Sequence, residues 1–388
     1  MLYLSGTSTF ASLFMVQLAP SSAPVQLASN NVQSYSGSFS ADKSAAYFTD
    51  AVSSATFATT VTGCPGNNTS CGCAHGGTCT SLGVIDALQF AADNSMMVFR
   101  AGLAAQTCTS PFLSGDNPCY NTGSLFSAHE NGTGFAAAPP TQIDTSVYSG
   151  RVQLGEPSPS TPAQKTLVWE QVVTVPGFGL SRELKTRNAD GSGPARVIQG
   201  IADPAGGYGL NYDVIESHVL ATPTGPVLVW IAAVPTVPSC TSACAYVREL
   251  FTSNLDGSNP HRLDTVVSNL QAITANNVSA GTTPMAVWQA THLICPLFCF
   301  TENFLMSAVL GGATVPVTTI QATTDTITYQ FSPSQKFVVF QQSNTNPNGT
   351  SLWDAQLSPR PGRSNSPRSW APSCSSSCRG TPPPWSTS

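Results

Sequence analysis

Charge is what this chain has least of. Lys, Arg, Asp and Glu make up only 9% of its 388 residues, against roughly 25% in an ordinary soluble domain. Long surface helices need Lys and Glu on their solvent face, so this scarcity argues against them. The net charge of −5 gives no basic footprint for nucleic acid and no polybasic segment for an anionic membrane surface. Long apolar runs are missing too. The longest, Val227 to Val234, suits a buried strand and falls well short of the roughly 18 residues of a membrane span. The N-terminus has no basic region ahead of an unbroken apolar one, so it does not read as a signal peptide. Leu2-Tyr3-Leu4 instead starts in mid-pattern, as if the reading frame began at an internal Met.

Catalytic signatures are also scarce. There is no G-x-S-x-G elbow and no P-loop. His129-Glu130 runs into Asn131-Gly132-Thr133 and does not complete H-E-x-x-H. Gly191-Ser192-Gly193 lacks the third glycine of a dinucleotide fingerprint and follows a hairpin turn. No cofactor is expected.

What the chain does hold is Gly (31) and Pro (30) among abundant Ser and Thr, with 41% hydrophobic residues. That mixture belongs to many short strands joined by turns, because Gly and Pro punctuate while β-branched residues extend. One phrase recurs seven times. It is an apolar run ending in a large residue: Leu2-Tyr3-Leu4, Ala46-Tyr47-Phe48, Met97-Val98-Phe99, Leu167-Val168-Trp169, Leu228-Val229-Trp230, Ala286-Val287-Trp288 and Val338-Val339-Phe340. Successive copies are spaced by 44 to 70 positions, a period that signals an array of similar units. Asp190-Gly191 and Asp256-Gly257 follow alternating segments and predict hairpins.

The flanks of the phrase sharpen the pattern. Residues 38–48 read SFSADKSAAYF, residues 330–340 read QFSPSQKFVVF, and residues 250–263 read LFTSNLDGSNPHRL. This resembles the repeat of TolB-type β-propellers, relatives of the WD-repeat class. The resemblance implies an all-β propeller of four-stranded blades over residues 1–357, with six to eight blades, seven the central figure, and an incomplete first blade. The turn Asp of that repeat stands here only at Asp42 and Asp93. Phe48, Phe99, Trp169, Trp230, Trp288 and Phe340 are expected to anchor the core between blades. A pair of β-sandwiches is the competing fold and would show shorter spacing. Residues 358–388 contain 10 Ser, 7 Pro, 4 Arg and no acid. Such a stretch reads as a disordered tail or a shifted frame.

Twelve cysteines cluster along the chain. Cys64, Cys71, Cys73 and Cys79 form one group and Cys108 with Cys119 a second, while Cys240/Cys244, Cys295/Cys299 and Cys374/Cys378 share the spacing C-x3-C. Local pairs at loop positions suit disulfides in an oxidising compartment. The spacing of the first group is not that of a zinc site. Each group follows a phrase, so the pairs are expected to staple loops on one rim. The weak metal or catalytic candidates are Glu216 with His218, alternating on one strand beside Asp213, and His292, close to Cys295 and Cys299. A solvated edge explains the first and a loop disulfide the second. The functional expectation is an exported, extracytoplasmic binding module that meets a protein or a small extracellular ligand through its stapled rim. Partner contact on the propeller faces in the bacterial envelope is what the resemblance implies. The alternative is a propeller enzyme, of lyase or hydrolase type, with a metal-assisted site in the central channel.

Overall fold

A computed structural model of the chain describes residues 2–7, 10–15, 24–33, 38–39, 45–61, 79–91, 93, 95–108, 112–116, 118–129, 140–155, 165–175, 179–198, 212–220, 226–236, 245–274, 284–294, 300–310, 317–323, 327–331, 337–342, 351–356 and 368–369. Every element among them is a strand. The described residues contain no helix long and apolar enough to cross a membrane.

The strands form six sheets in chain order. The first holds β1 (Leu2–Thr7), β2 (Phe10–Met15) and β3 (Val25–Val32). The second holds β4 (Ser38–Phe39), β5 (Ala45–Thr49), β6 (Thr56–Thr60) and β7 (Cys79–Gly83). The third has seven strands: β8 (Ile85–Phe90), β9 (Met96–Ala101), β10 (Thr122–His129), β11 (Thr141–Gly155), β12 (Thr166–Val175), β13 (Gly179–Asn188) and β14 (Arg196–Val197). The fourth holds β15 (Asp213–Leu220), β16 (Val227–Pro235), β17 (Tyr246–Asn254) and β18 (His261–Thr265). The fifth holds β19 (Val267–Thr274), β20 (Pro284–Ile294), β21 (Phe300–Val309) and β22 (Val317–Thr323). The last holds β23 (Ile327–Phe331), β24 (Phe337–Gln342), β25 (Ser351–Gln356) and β26 (Arg368–Ser369). Arg368 and Ser369 of the Ser/Pro/Arg-rich tail are therefore paired, against Asp354 and Trp353. Backbone pairing of that kind needs no apolar burial. The other tail residues, with Cys374 and Cys378, lie outside the described residues.

Neighbours in each sheet are neighbours in sequence, and every ladder is antiparallel. Each sheet is thus an up-and-down meander that short turns can connect. The seven-stranded sheet divides at its middle strand. The first part of β11 pairs with β10, and its end, Val152 to Gly155, pairs with β12. The register shifts between Val147 and Val152, and Ser146 has φ 55°. A left-handed residue with a register shift bends the strand, so one strand serves two meanders.

The recurring phrase is the second strand of every four-stranded meander (β5, β9, β12, β16, β20, β24) and the first strand of the three-stranded sheet. In the six four-stranded meanders its last residue faces the preceding meander. Phe48 packs with Leu13 and Leu27, Phe99 against Leu82, Trp169 with Val98 and Leu125, Trp230 with Val168 and Leu184, Trp288 with Val229 and Leu250, and Phe340 with Val287 and Leu305. All six are buried. Alternate residues of the same strand face forward, as Val229 and Ile231 do. Burial on both faces explains why all nine residues of β16 are buried and why its sequence is a continuous apolar run rather than an alternation.

Two polar devices tie meander to meander. Gln89 Nε2 donates to Val152 O, while Leu154 N donates to Gln89 Oε1 at 3.1 Å. Gln153 repeats this one meander on, donating to Ser217 O at 2.9 Å and accepting from Val219 N at 2.6 Å. The second device pairs an indole with an acid. Trp169 Nε1 donates to Asp144 Oδ2 at 3.0 Å and Trp288 Nε1 to Asp264 Oδ2 at 2.7 Å. Each acid sits in a matching phrase, Ile143-Asp144-Thr145 and Leu263-Asp264-Thr265, and accepts from the next Thr N at 2.8 Å. A left-handed residue follows each, Ser146 and Val266.

Candidate functional site

In β16 and β20 the residue after the phrase, Ile231 and Gln289, faces the next meander, and the equivalent residue of β12 is Glu170. Its carboxyl is fully buried. Oε1 accepts from Ser217 Oγ of β15 at 2.9 Å, and Oε2 has no partner among the described residues. Burial pushes its pKa up to about 7, against the opposing pull of Arg151, Arg182 and the Ser217 hydroxyl. A buried ionised carboxylate must be paired or must take a proton.

Beside it, Arg182 of β13 and Asp213 of β15 form a two-pronged buried pair. Nη2 to Oδ2 is 2.7 Å and Nε to Oδ1 is 2.9 Å. The Arg182 N–H also donates to Oδ1 at 2.8 Å. Burial works against the Arg182 cation, but the hydrogen bonds and charge of Asp213 outweigh it and raise its pKa. Planar guanidinium against carboxylate is the geometry that makes such a pair hold.

The segment between β9 and β10 closes over this pair. Cys108 and Cys119 form a disulfide. Between them Phe112 carries the Arg182 guanidinium 4.5 Å from its ring centroid. Phe112 also clusters with Tyr120 and Tyr148 at centroid distances of 5.1 and 6.0 Å. Ser114 N donates to Asp213 Oδ2 at 3.3 Å. Asp116 bridges Arg182 at 3.6 Å and Arg248 of β17 at 3.2 Å. The segment is therefore fixed from beneath by an aromatic contact, a backbone donor and a carboxylate. Ala104, Ala105, Gln106 and Gly115 remain exposed.

The sequence candidates fall elsewhere. His218 Nε2 lies 2.7 Å from Glu216 Oε1 at a half-buried position on β15. Asp213, expected beside them, turns away to Arg182. The register of β15 shifts between Val214 and Glu216, and that irregularity separates Asp213 from the Glu216–His218 pair. His292 Nε2 sits 2.9 Å from Asp264 Oδ1, edge-on to Phe304. Among the described residues no group of three or more His, Cys, Asp or Glu could hold a metal ion. Cys64, Cys71, Cys73, Cys240, Cys244, Cys295 and Cys299 lie outside the described residues. Cys79 belongs to strand β7 rather than to a loop. The expected single rim rests on cysteines most of which lie outside the described residues. β5 and β6 are antiparallel, so the chain leaves β6 toward Cys64 from the opposite end of its sheet to where it leaves β5. The Cys108–Cys119 segment departs instead from the end of a phrase strand.

Glu170, Arg182 and Phe112 were not singled out by sequence. A signal existed for the first. In buried strands a polar residue directly after the phrase is conspicuous, and Arg100, Glu170 and Gln289 all hold that position. Arg100 is likewise buried, held by Asp86 at 2.7 Å and Val147 O at 2.6 Å.

No family model matches this chain, and no curated protein matches it either. Among solved structures it is similar to the tricorn protease, with a TM-score of 0.30 and 8% identity over 91% of this chain. The chain spans 34% of that structure's length.

Proposed function

We propose that the chain is a TolB-like β-propeller of seven meanders, the first incomplete, acting as an exported, non-enzymatic binding module. Three features support the architecture. The division of β11 turns six sheets into seven successive meanders. The large residues of six of the seven phrases pack back onto the meander before them. Among the described residues the first sheet has three strands where the others have four or more. The exposed disulfide supports an oxidising compartment.

The observation that carries the binding role is the anchoring of residues 112–116 beneath the exposed residues 104–106. Phe112, Ser114 and Asp116 are committed to Arg182, Asp213 and Arg248, while Ala104 to Gln106 face outward. A surface held rigid in advance loses less entropy on binding, and recognition residues typically sit on loops fixed by a stiff scaffold. The partner is a protein or a small extracellular ligand. A photo-cross-linker placed at Gln106 in the exported protein tests this. It should trap a defined adduct that the same probe at Asn259, on the turn after β17, does not. Equal labelling from both positions, or none from Gln106, would sink the reading.

A further inference from the structure

We infer that a cleft beside the two Asp-Gly turns binds a small hydroxylated carboxylate of sugar-acid size. It lies at the other end of β13 from Arg182. Arg182 and Asn188 are roughly 20 Å apart along an extended strand, so this site is independent of the disulfide-closed segment.

Two turns of one design frame it, Asn188-Ala189-Asp190-Gly191-Ser192 after β13 and Asn254-Leu255-Asp256-Gly257-Ser258 after β17. In each the Asn amide donates to the Ser hydroxyl, at 3.0 and 2.8 Å. The Ser N–H donates to the Asp carboxylate, at 2.8 and 2.9 Å. The Gly N–H donates to the Asn carbonyl, at 2.9 Å in both. The second turn is drawn against the neighbouring meander because Gly155 leaves room for Leu255: a Cβ there would sit 2.3 Å from Leu255 Cδ1.

The resulting cleft has a volume of about 230 Å³, with Thr186, Arg187, Asn188, Ser192, Arg196 and Asp256 in its lining. Ligand pockets for larger organic molecules start near 300 Å³, so the occupant is monosaccharide-sized. Two guanidinium groups face one carboxylate, which favours an anion whose charge is a carboxylate. Arg187 is already held by Gly193 O at 2.8 Å and Ile143 O at 3.1 Å, so it need not be ordered on binding. The hydroxyl and amide groups of Ser192 and Asn188, with Asp256 as acceptor, match ligand hydroxyls. Thr186, also in the lining, is 2% exposed, and its Oγ1 has no partner among the described residues.

Calorimetry and thermal denaturation of the full chain with sodium D-glucuronate test the inference, with D-glucose and sodium acetate as fragment controls. Saturable glucuronate binding with a dissociation constant on the order of 1 mM is expected, and each fragment should bind at least about tenfold more weakly. Arg196→Ala should weaken glucuronate about tenfold while leaving the unliganded melting temperature unchanged. Thr186→Val should raise that melting temperature, because it deletes a buried, unpaired hydroxyl. Absence of saturable binding overturns the inference. So does glucose or acetate binding as tightly as glucuronate, or glucuronate affinity indifferent to Arg196→Ala.

Discussion

At the scale of single residues, Glu170 decides how stability follows pH. Its carboxyl lies between β12 and β15 with one oxygen on Ser217, and burial pushes its pKa up to about 7 from the ordinary 4.5 of a glutamate. Between those two values the folded chain keeps a proton that the unfolded chain releases. The stability linked to Glu170 is therefore complete below about pH 4.5 and is lost as pH rises through about 7. Glu170→Gln has no such proton to lose. Denaturant titrations at acid and alkaline pH should show the stability of the Gln variant relative to wild type growing by about 3 kcal/mol across the window; a constant difference would place the carboxyl in a wetter setting. Arg182 and Asp213 obey the opposite logic, because removing one partner strands the other. Asp213→Ala should cost about 3–5 kcal/mol in the same assay. Val266 presents a backbone question. Its φ of 54° is left-handed, which a β-branched residue adopts only under strain of about 1–3 kcal/mol. Its side chain is 46% exposed, so little packing is lost on trimming. Val266→Gly should raise stability by about 1 kcal/mol by chemical denaturation, net of the added freedom of the unfolded chain.

At the scale of elements, the recurring phrase was legible because a strand buried on both faces must be apolar throughout, and a large terminal side chain is easy to see. The Asp-Gly hairpins after β13 and β17 were legible for their turn chemistry. The polar joints between meanders were not. Gln89 and Gln153 look like ordinary strand residues until their amides meet the next meander, and Asp144 and Asp264 gain their meaning from an indole 25 and 24 residues ahead. Spacing shows that an element exists; it does not show which neighbour its side chains reach. The cysteines illustrate the same limit. Cys108 and Cys119 were readable as a pair, but the Phe112 contact with Arg182 that anchors their segment was not. Replacing both with Ser should lower stability by about 2–3 kcal/mol, the loop-closure contribution expected for a ring of this size. Hydrogen exchange in residues 112–121 should rise more than in β13. An equal rise in both would mean that the segment and β13 open as one unit and that the disulfide adds no local restraint.

At the scale of the molecule, stability should be graded along the chain. β16 is buried at every residue, whereas β23 alternates buried and exposed positions and Ser5 and Gly6 of β1 are exposed. In stacks of this kind each unit leans on its neighbours, and local opening follows local burial. Native-state hydrogen exchange should therefore be slowest in β12, β16 and β20 and fastest in the first and last sheets. Uniform protection would instead mean a single cooperative unit.

β11 adds a mechanical consequence. Most meanders meet through side chains, so tension applied at the chain ends could peel them away one at a time. The fifteen residues of β11 belong to two meanders at once, and extending them strips an edge from both. Under load these two should yield together, giving one long extension step amid shorter ones. The strand works as a splice in the cable, the place where two lengths cannot be parted without unravelling each other.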